Sequence, residues 1–174
     1  MKPEAHQKSH YLFPGMIYTS KTPTLVCTVL GSCVSVCLWD ERLKLGGINH
    51  YMLPYWNGEG LALPRYGDIA IPQLVKNLKN FGSKRRDLVA KVFGGAKLWG
   101  GHETIVSVGE RNVDLAGEML TDMVIPIVGQ DTGQDTGRKI YFATDTGRVY
   151  LKRHQSYRER KALLEEQKKF QGLP

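Results

Sequence analysis

Cys33 and His50 are the two side chains whose types and surroundings best suit them to joint chemistry. A thiol attacks only as its thiolate. With an ordinary pKa of about 8.5 it needs a base or a cation beside it to react near neutral pH. An imidazole is the usual supplier. Cys33 follows Leu30-Gly31-Ser32 inside an apolar run from Thr24 to Leu38, and a glycine within a strand often marks a bulge or sharp bend. A side chain at such a bend can be exposed at a strand end. Successive backbone N–H groups there, at Gly31, Ser32 and Val34, could face a developing oxyanion. His50 lies in a second strand-like run, Gly46 to Leu53, and a hairpin-like return is how residues 17 positions apart come within reach. The chemistry this pair would support is nucleophilic acyl transfer.

Spacing alone leaves other readings open. Free cysteine is often only a small buried hydrophobe, and Cys37 fits that description; Cys33 and His50 could equally be a core thiol and a core histidine. Cys27, Cys33, Cys37 and His50 together offer the ligand set of a structural zinc site, but their spacings lack the paired knuckles that wrap a tetrahedral ion. His6 and His10 sit in a polar N-terminus, His102 in a glycine-flanked stretch and His154 in a basic segment, so none adjoins an apolar strand as His50 does. The glycine doublets at 46–47, 94–95 and 100–101 carry neither the lysine of a P-loop nor a G-x-G-x-x-G pattern, and read as turns.

The elements that must position Cys33 and His50 are mostly strands. The run from Thr24 to Leu38 predicts two strand segments meeting at Gly31-Ser32, with Val34, Val36 and Leu38 on one face and Cys33, Ser35 and Cys37 on the other. A polar turn over 40–44 leads to the strand that carries His50. Beyond a loop over 57–67, Asp68 is a candidate cap for a helix with an apolar stripe through Ala70, Leu74, Val75, Leu78 and Phe81, stopped by Gly82. Strands are predicted over 88–93, 105–108 and 124–128. Asn112 or Asp114 is the candidate cap of a second helix through Ala116, Met119, Leu120 and Met123. Residues 129–136 read as a loop, 139–143 and 148–152 as a hairpin, and 157–171 as a charged C-terminal helix. Strands and helices mix without strict alternation, which predicts an α+β fold.

The whole chain of 174 residues is the size of one domain, with a polar tail over about 1–10. No apolar run reaches the ~20 residues needed to cross a bilayer, and no apolar segment follows Lys2 as in a secretory signal. An odd count of three cysteines reads as reduced thiols, so a cytoplasmic setting is expected. The net charge of +7 owes much to the basic C-terminal segment, a solvated helix face rather than a nucleic-acid footprint.

The segment Val29-Leu30-Gly31-Ser32-Cys33-Val34-Ser35-Val36-Cys37-Leu38, followed by Gly46-Gly47-Ile48-Asn49-His50-Tyr51-Met52-Leu53-Pro54, closely resembles the signature of the CheD family, bacterial chemoreceptor glutamine deamidases. The likeness extends to Pro14-Gly15, Phe93-Gly94-Gly95-Ala96, Gly109-Glu110-Arg111-Asn112, Asp131-Thr132-Gly133 and Gly137-Arg138-Lys139-Ile140. By this resemblance Cys33 falls on the catalytic cysteine and His50 on the catalytic histidine. The family's third member is a threonine six residues before the cysteine. Here that count falls on Cys27, with a threonine at Thr28; the two would point to opposite faces of an extended strand. Gln134 stands where the family often has a second glycine. The resemblance further implies a layered α/β sandwich with mixed sheets flanked by helices, like that of cysteine-dependent toxin deamidases, and no cofactor. It implies methyl-accepting chemotaxis receptors as protein substrates, met in an open groove, with a CheC-type phosphatase as regulatory partner and hydrolysis of receptor methyl esters as a further activity.

Overall fold

The computed structural model describes residues 8–97 and 107–154. Along the chain run β1 (Lys8–Tyr11), β2 (Ile17–Thr19), β3 (Thr24–Leu30), β4 (Val34–Asp40), β5 (Leu45–Asn49), α1 (Gly67–Asn80), β6 (Leu88–Gly94), α2 (Val108–Asp122), β7 (Ile127–Thr132), β8 (Arg138–Ala143) and β9 (Val149–Arg153). The strands form a four-stranded sheet in the order β1-β3-β8-β9 and a five-stranded sheet in the order β2-β5-β4-β6-β7. Both are mixed: β1 runs parallel to β3 and β7 parallel to β6, while the other pairs are antiparallel. The expected α+β layered sandwich is the observed fold.

Periodicity explains the layering. On β4, Val34, Val36 and Leu38 pack with the apolar stripes of α1 (Ala70, Leu74, Leu78) and α2 (Leu115, Ala116, Leu120). The alternate residues Cys33 and Cys37 face the other way, into a second core shared with Val26, Leu30, Ile140 and Phe142 of the four-stranded sheet. β4 is therefore covered on both sides, which is why its sequence is apolar on both faces rather than alternating with polar residues. The layers run helices, five-stranded sheet, four-stranded sheet. The inter-sheet layer is where the faces bearing Cys33 and His50 meet β3.

Several expected boundaries move. Residues 8–10, read as tail, pair with β3 as β1; this is a register of backbone hydrogen bonds that an exposed, polar Lys-Ser-His-Tyr stretch does not announce. α1 starts at Gly67, and Asp68 does not cap it; its carboxylate instead accepts from the Trp56 N–H at 3.0 and 3.1 Å. The cap of α2 is Ser107, not Asn112 or Asp114. Its hydroxyl accepts from the Glu110 N–H at 3.2 Å while the Glu110 carboxylate accepts from the Ser107 N–H at 2.8 Å, a capping box. Val108 is thus helical with Ser107 as its cap, and residues 105–106 of the strand expected over 105–108 lie outside the described residues. Val124 turns in the left-handed region (φ 56°), so β7 starts later than expected. It also continues through Asp131-Thr132, in a stretch read as loop, because pairing there is made by backbone along β6 across a register shift. The hairpin over 139–152 is present as β8 and β9. The charged helix expected over 157–171 lies outside the described residues. No described helix is long and apolar enough to cross a membrane.

Candidate active site

Cys33 sits in the three-residue link between β3 and β4, and this link is held by its carbonyl groups. The Gly31 carbonyl accepts from the Ala96 N–H (2.8 Å), that of Ser32 from the Asn112 side-chain amide (3.1 Å) and that of Cys33 from the Gly95 N–H (2.9 Å). The N–H groups of Gly31 and Ser32 have no acceptor among the described residues, and the Cys33 N–H lies against its own sulfur. Of the three expected oxyanion donors, Val34 is excluded. Its N–H belongs to the sheet, donating to the Tyr51 carbonyl at 3.0 Å. Gly94 is what lets β6 come so close: a Cβ there would stand 2.1 Å from the Cys33 carbonyl oxygen, and its φ of +110° disfavours any other residue.

A second brace lies behind Gly94. Its carbonyl accepts from the Gly133 N–H at 2.9 Å, and the Gly133 carbonyl accepts from the buried Arg138 guanidinium, whose Nε pairs with Asp131 at 2.5 Å. Next in this turn, Gln134 has φ 59° and its carbonyl accepts from the Lys97 N–H, so the position the family often gives to glycine is a left-handed one here too.

His50 lies just past β5. Its backbone is fixed by the Met16 carbonyl, which accepts from its N–H at 3.0 Å, and by the Gly15 N–H, which donates to its carbonyl at 2.7 Å. The ring is buried between the sheets, with Nδ1 at 2.8 Å from the Thr28 hydroxyl oxygen. That hydroxyl also stands 2.8 Å from the Leu12 carbonyl oxygen. A carbonyl only accepts, so the single Thr28 proton goes to Leu12. The Thr28 oxygen must then accept from His50, placing the imidazole proton on Nδ1. Nε2 is left as the lone-pair nitrogen, buried and without a hydrogen-bond partner among the described residues.

The sheet register relates the two side chains. Val34 and Tyr51 exchange both backbone hydrogen bonds, and Cys37 pairs with Ile48. The same register sets His50 across from Ser35, one step before the Val34–Tyr51 bridge, and Cys33 one step past it, so Cys33 and His50 fall diagonally on one face of the sheet. Such neighbours have backbones roughly 7–8 Å apart, within reach of an imidazole. Cys33 and the two residues before it are half-buried, whereas the imidazole is out of water.

The alternatives for the third place separate by strand face, as β-geometry requires. Thr28 points inward to His50. Cys27 points to the outer face of the four-stranded sheet, where Lys139 and Tyr141 surround it. Counting six residues back from the cysteine therefore misses the residue on the imidazole by one.

Burial sets the protonation states. It raises the Cys33 thiol above its ordinary pKa, opposed only by the residue's own N–H. It pushes His50 down to about 4, against the Leu12 carbonyl, which favours the charged ring. The resting pair at neutral pH is a neutral thiol and a neutral imidazole. Cys37, fully buried, is raised far more and is inert at neutral pH. The zinc ligand set does not assemble: no three His, Cys, Asp or Glu side chains cluster around a metal-sized site among the described residues.

Asn112 is the residue that sequence reasoning placed in the wrong role. Buried on the second turn of α2, its side-chain amide nitrogen donates to the Ser32 carbonyl and also to the Met52 carbonyl at 3.0 Å, and its backbone carbonyl accepts from the Tyr51 hydroxyl at 2.5 Å. Its place in the Gly109-Glu110-Arg111-Asn112 segment was the available signal. The Leu12 carbonyl had none, since a backbone acceptor has no residue signature. Beside Met52 an open groove of about 560 Å³ runs over Pro14, Met16, Ile17, Leu63 and Arg65.

The chain is thus a layered α+β sandwich that carries a half-buried thiol and a buried, single-tautomer imidazole on one sheet face. A family model described as "CheD chemotactic sensory transduction" matches residues 52–153. The chain is 47% identical over 146 residues to "Probable chemoreceptor glutamine deamidase CheD" of Trichlorobacter lovleyi, covering 84% of this chain and 91% of that protein. It is 43% identical over 143 residues to the protein of the same name in Sulfurimonas denitrificans (82% and 92%), and 42% identical over 146 residues to that of Rhodospirillum rubrum (84% and 82%). The chain belongs to the CheD family.

Proposed function

We propose that this protein is a protein-glutamine glutaminase that deamidates glutamine side chains of chemoreceptors, with Cys33 as nucleophile and His50 as its base. The observation that carries this reading is the chain of hydrogen bonds from His50 through Thr28 to Leu12, which leaves a buried lone pair on Nε2, on the sheet face that also bears the half-buried Cys33 thiol. The relatives' names supply the amide and its carrier.

The neutral resting pair makes proton transfer part of the first step. Nε2 takes the Cys33 proton as sulfur attacks the side-chain carbonyl carbon, and the oxyanion meets the unspent N–H groups of Gly31 and Ser32. The imidazolium then gives its proton to the departing nitrogen, and ammonia leaves a thioester on Cys33. Water, losing a proton to Nε2, attacks the thioester; the proton returns to sulfur and glutamate is released. Thr28 keeps Nδ1 protonated throughout, and the Leu12 carbonyl beside it favours the transient positive charge. The same thioester would form from a receptor methyl ester, with methanol leaving instead of ammonia. The open groove beside Met52 suits a substrate carried on a protein surface, and the net positive charge suits an acidic one. Receptors of this kind meet the enzyme in the cytoplasm, where three unpaired thiols persist; a CheC-type phosphatase is the expected regulatory partner.

Incubation with receptor cytoplasmic fragments, followed by peptide mass spectrometry, is expected to show glutamine-to-glutamate conversion at discrete sites; unchanged fragments would refute the activity. Thr28→Val removes the hydroxyl while preserving shape. Its turnover should fall on the order of tenfold, about 1.4 kcal/mol of barrier. Cys27→Ala, on the other face, should stay within about twofold of the parent. Equal losses in both variants would refute the placement of Thr28 behind the imidazole.

A further inference from the structure

We propose that Asn112 is a positioning residue: its side-chain amide replaces the missing rung of the sheet where β4 and the strand bearing His50 split apart. This rests on the assignment of Cys33 and His50 made above. The last regular rung is the exchange between Val34 and Tyr51. One rung further, Ser32 would face Leu53 and each would bond the other. The chain after Tyr51 turns away instead. The N–H groups of Met52 and Leu53 both donate to the Arg65 carbonyl (2.8 and 3.1 Å), and the Leu53 carbonyl accepts from the Gly67 N–H (2.8 Å).

The split has a chemical use. A continued ladder would spend the Ser32 N–H on Leu53; the split leaves that donor without a described acceptor, next to the nucleophile. The Ser32 and Met52 carbonyls have no backbone donor among the described residues, and the buried Asn112 of α2 reaches both of them. Asn112 satisfies both from one nitrogen, at 3.1 and 3.0 Å, and so sets the distance between the segment that carries Cys33 and the one that carries His50. Two carbonyl acceptors on diverging chains require two donors on one short neutral arm, which a primary amide supplies and a hydroxyl or carboxylate does not. The Asn112 side-chain oxygen remains buried and unpartnered among the described residues, a cost that packing alone would remove by substitution with an apolar residue. The Tyr51 hydroxyl, donating to the Asn112 carbonyl, holds the helix at this residue from the side of the base.

The test compares Asn112→Ala with Leu120→Ala, a core truncation eight residues further along the same helix. Asn112→Ala is expected to lower kcat on a receptor fragment by 10–100-fold with KM within about twofold, because misplacing reacting groups by about 1 Å costs on that order. Leu120→Ala, at an equal or larger fall in Tm, should keep kcat within about threefold. A folded Asn112→Ala protein with unchanged kcat, or a loss no greater than that of Leu120→Ala at matched Tm, overturns the proposal. Should Asn112→Ala not fold, the parent protein decides by NMR. The two Asn112 side-chain amide protons should exchange slowly with solvent and shift when Cys33 is alkylated by iodoacetamide; fast exchange and no shift overturn it. An active Cys33→Ala protein would overturn the parent reading and this inference together. An inactive one beside a fully active Asn112→Ala would overturn this inference alone.

Discussion

Cys33→Ala is expected to abolish glutamine deamidation, by at least ~10⁴-fold in turnover, in a protein that melts as the parent does. Removing the nucleophile of a cysteine–histidine pair leaves only binding and the oxyanion donors, and loss of a group of this kind costs several orders of magnitude. Stability should change little, because the side chain is half-buried and small, and its carbonyl, not its sulfur, anchors the link to Gly95. The measurement is ammonia release together with mass analysis of the receptor fragment. Cys37→Ala is the contrasting case: that thiol is fully buried, so its loss should lower stability and leave turnover of the folded protein intact.

His50→Ala is expected to lower turnover by about 10²–10⁴-fold, since one group serves as base in attack, acid in ammonia release and base in hydrolysis. The parent enzyme's pH profile should show why. The proposed mechanism requires the unprotonated ring, and burial pushes the folded-state pKa down to about 4, so activity should persist well below pH 6.5 and fall only as the pH approaches 4. Stability follows the same group with its own sign. Between about 6.5 and 4 the unfolded chain takes up a proton that the folded chain refuses, so the parent loses stability as pH falls across this window. The full depression corresponds to a loss on the order of 3 kcal/mol. Thermal melts at pH 7 and pH 5 should show a smaller acid-induced drop for His50→Ala than for the parent. An acid limb of activity near 6.5 would mean that the imidazole is solvated, contrary to its burial between the sheets.

How far the site was legible depends on what each residue does. Cys33 and His50 lie one residue outside β4 and β5, strands whose apolar pattern is strong, and the alternation carried back from β4 put Cys33 on the face that packs into the inter-sheet core. The glycine-serine break located the bend. Thr28 was within sight but one position from where the family count fell, and only the register of β3 against the imidazole decides between it and Cys27. Asn112 was misread because asparagine before an apolar stripe resembles a helix cap, whereas Ser107 and Glu110 already form one. Val34 was read as a free donor because a sequence does not reveal which N–H groups a neighbouring strand has used. β1 and the second half of β7 escaped for the same reason: parallel pairing along an edge is made by backbone, and residues such as Lys8-Ser9-His10 or Gln130-Asp131-Thr132 leave no hydrophobic period.

The central claim is that the reaction passes through a thioester on Cys33. The most direct measurement is a single turnover with a receptor peptide, quenched in acid within the first turnover and analysed by intact and peptide mass spectrometry. The account predicts a transient species with the mass of enzyme plus peptide less one ammonia, joined at Cys33, which decays to free enzyme and the glutamate peptide; its yield should fall sharply in His50→Ala. Glutamate forming at the parent rate with no such adduct, or forming at all in Cys33→Ala, would contradict the account.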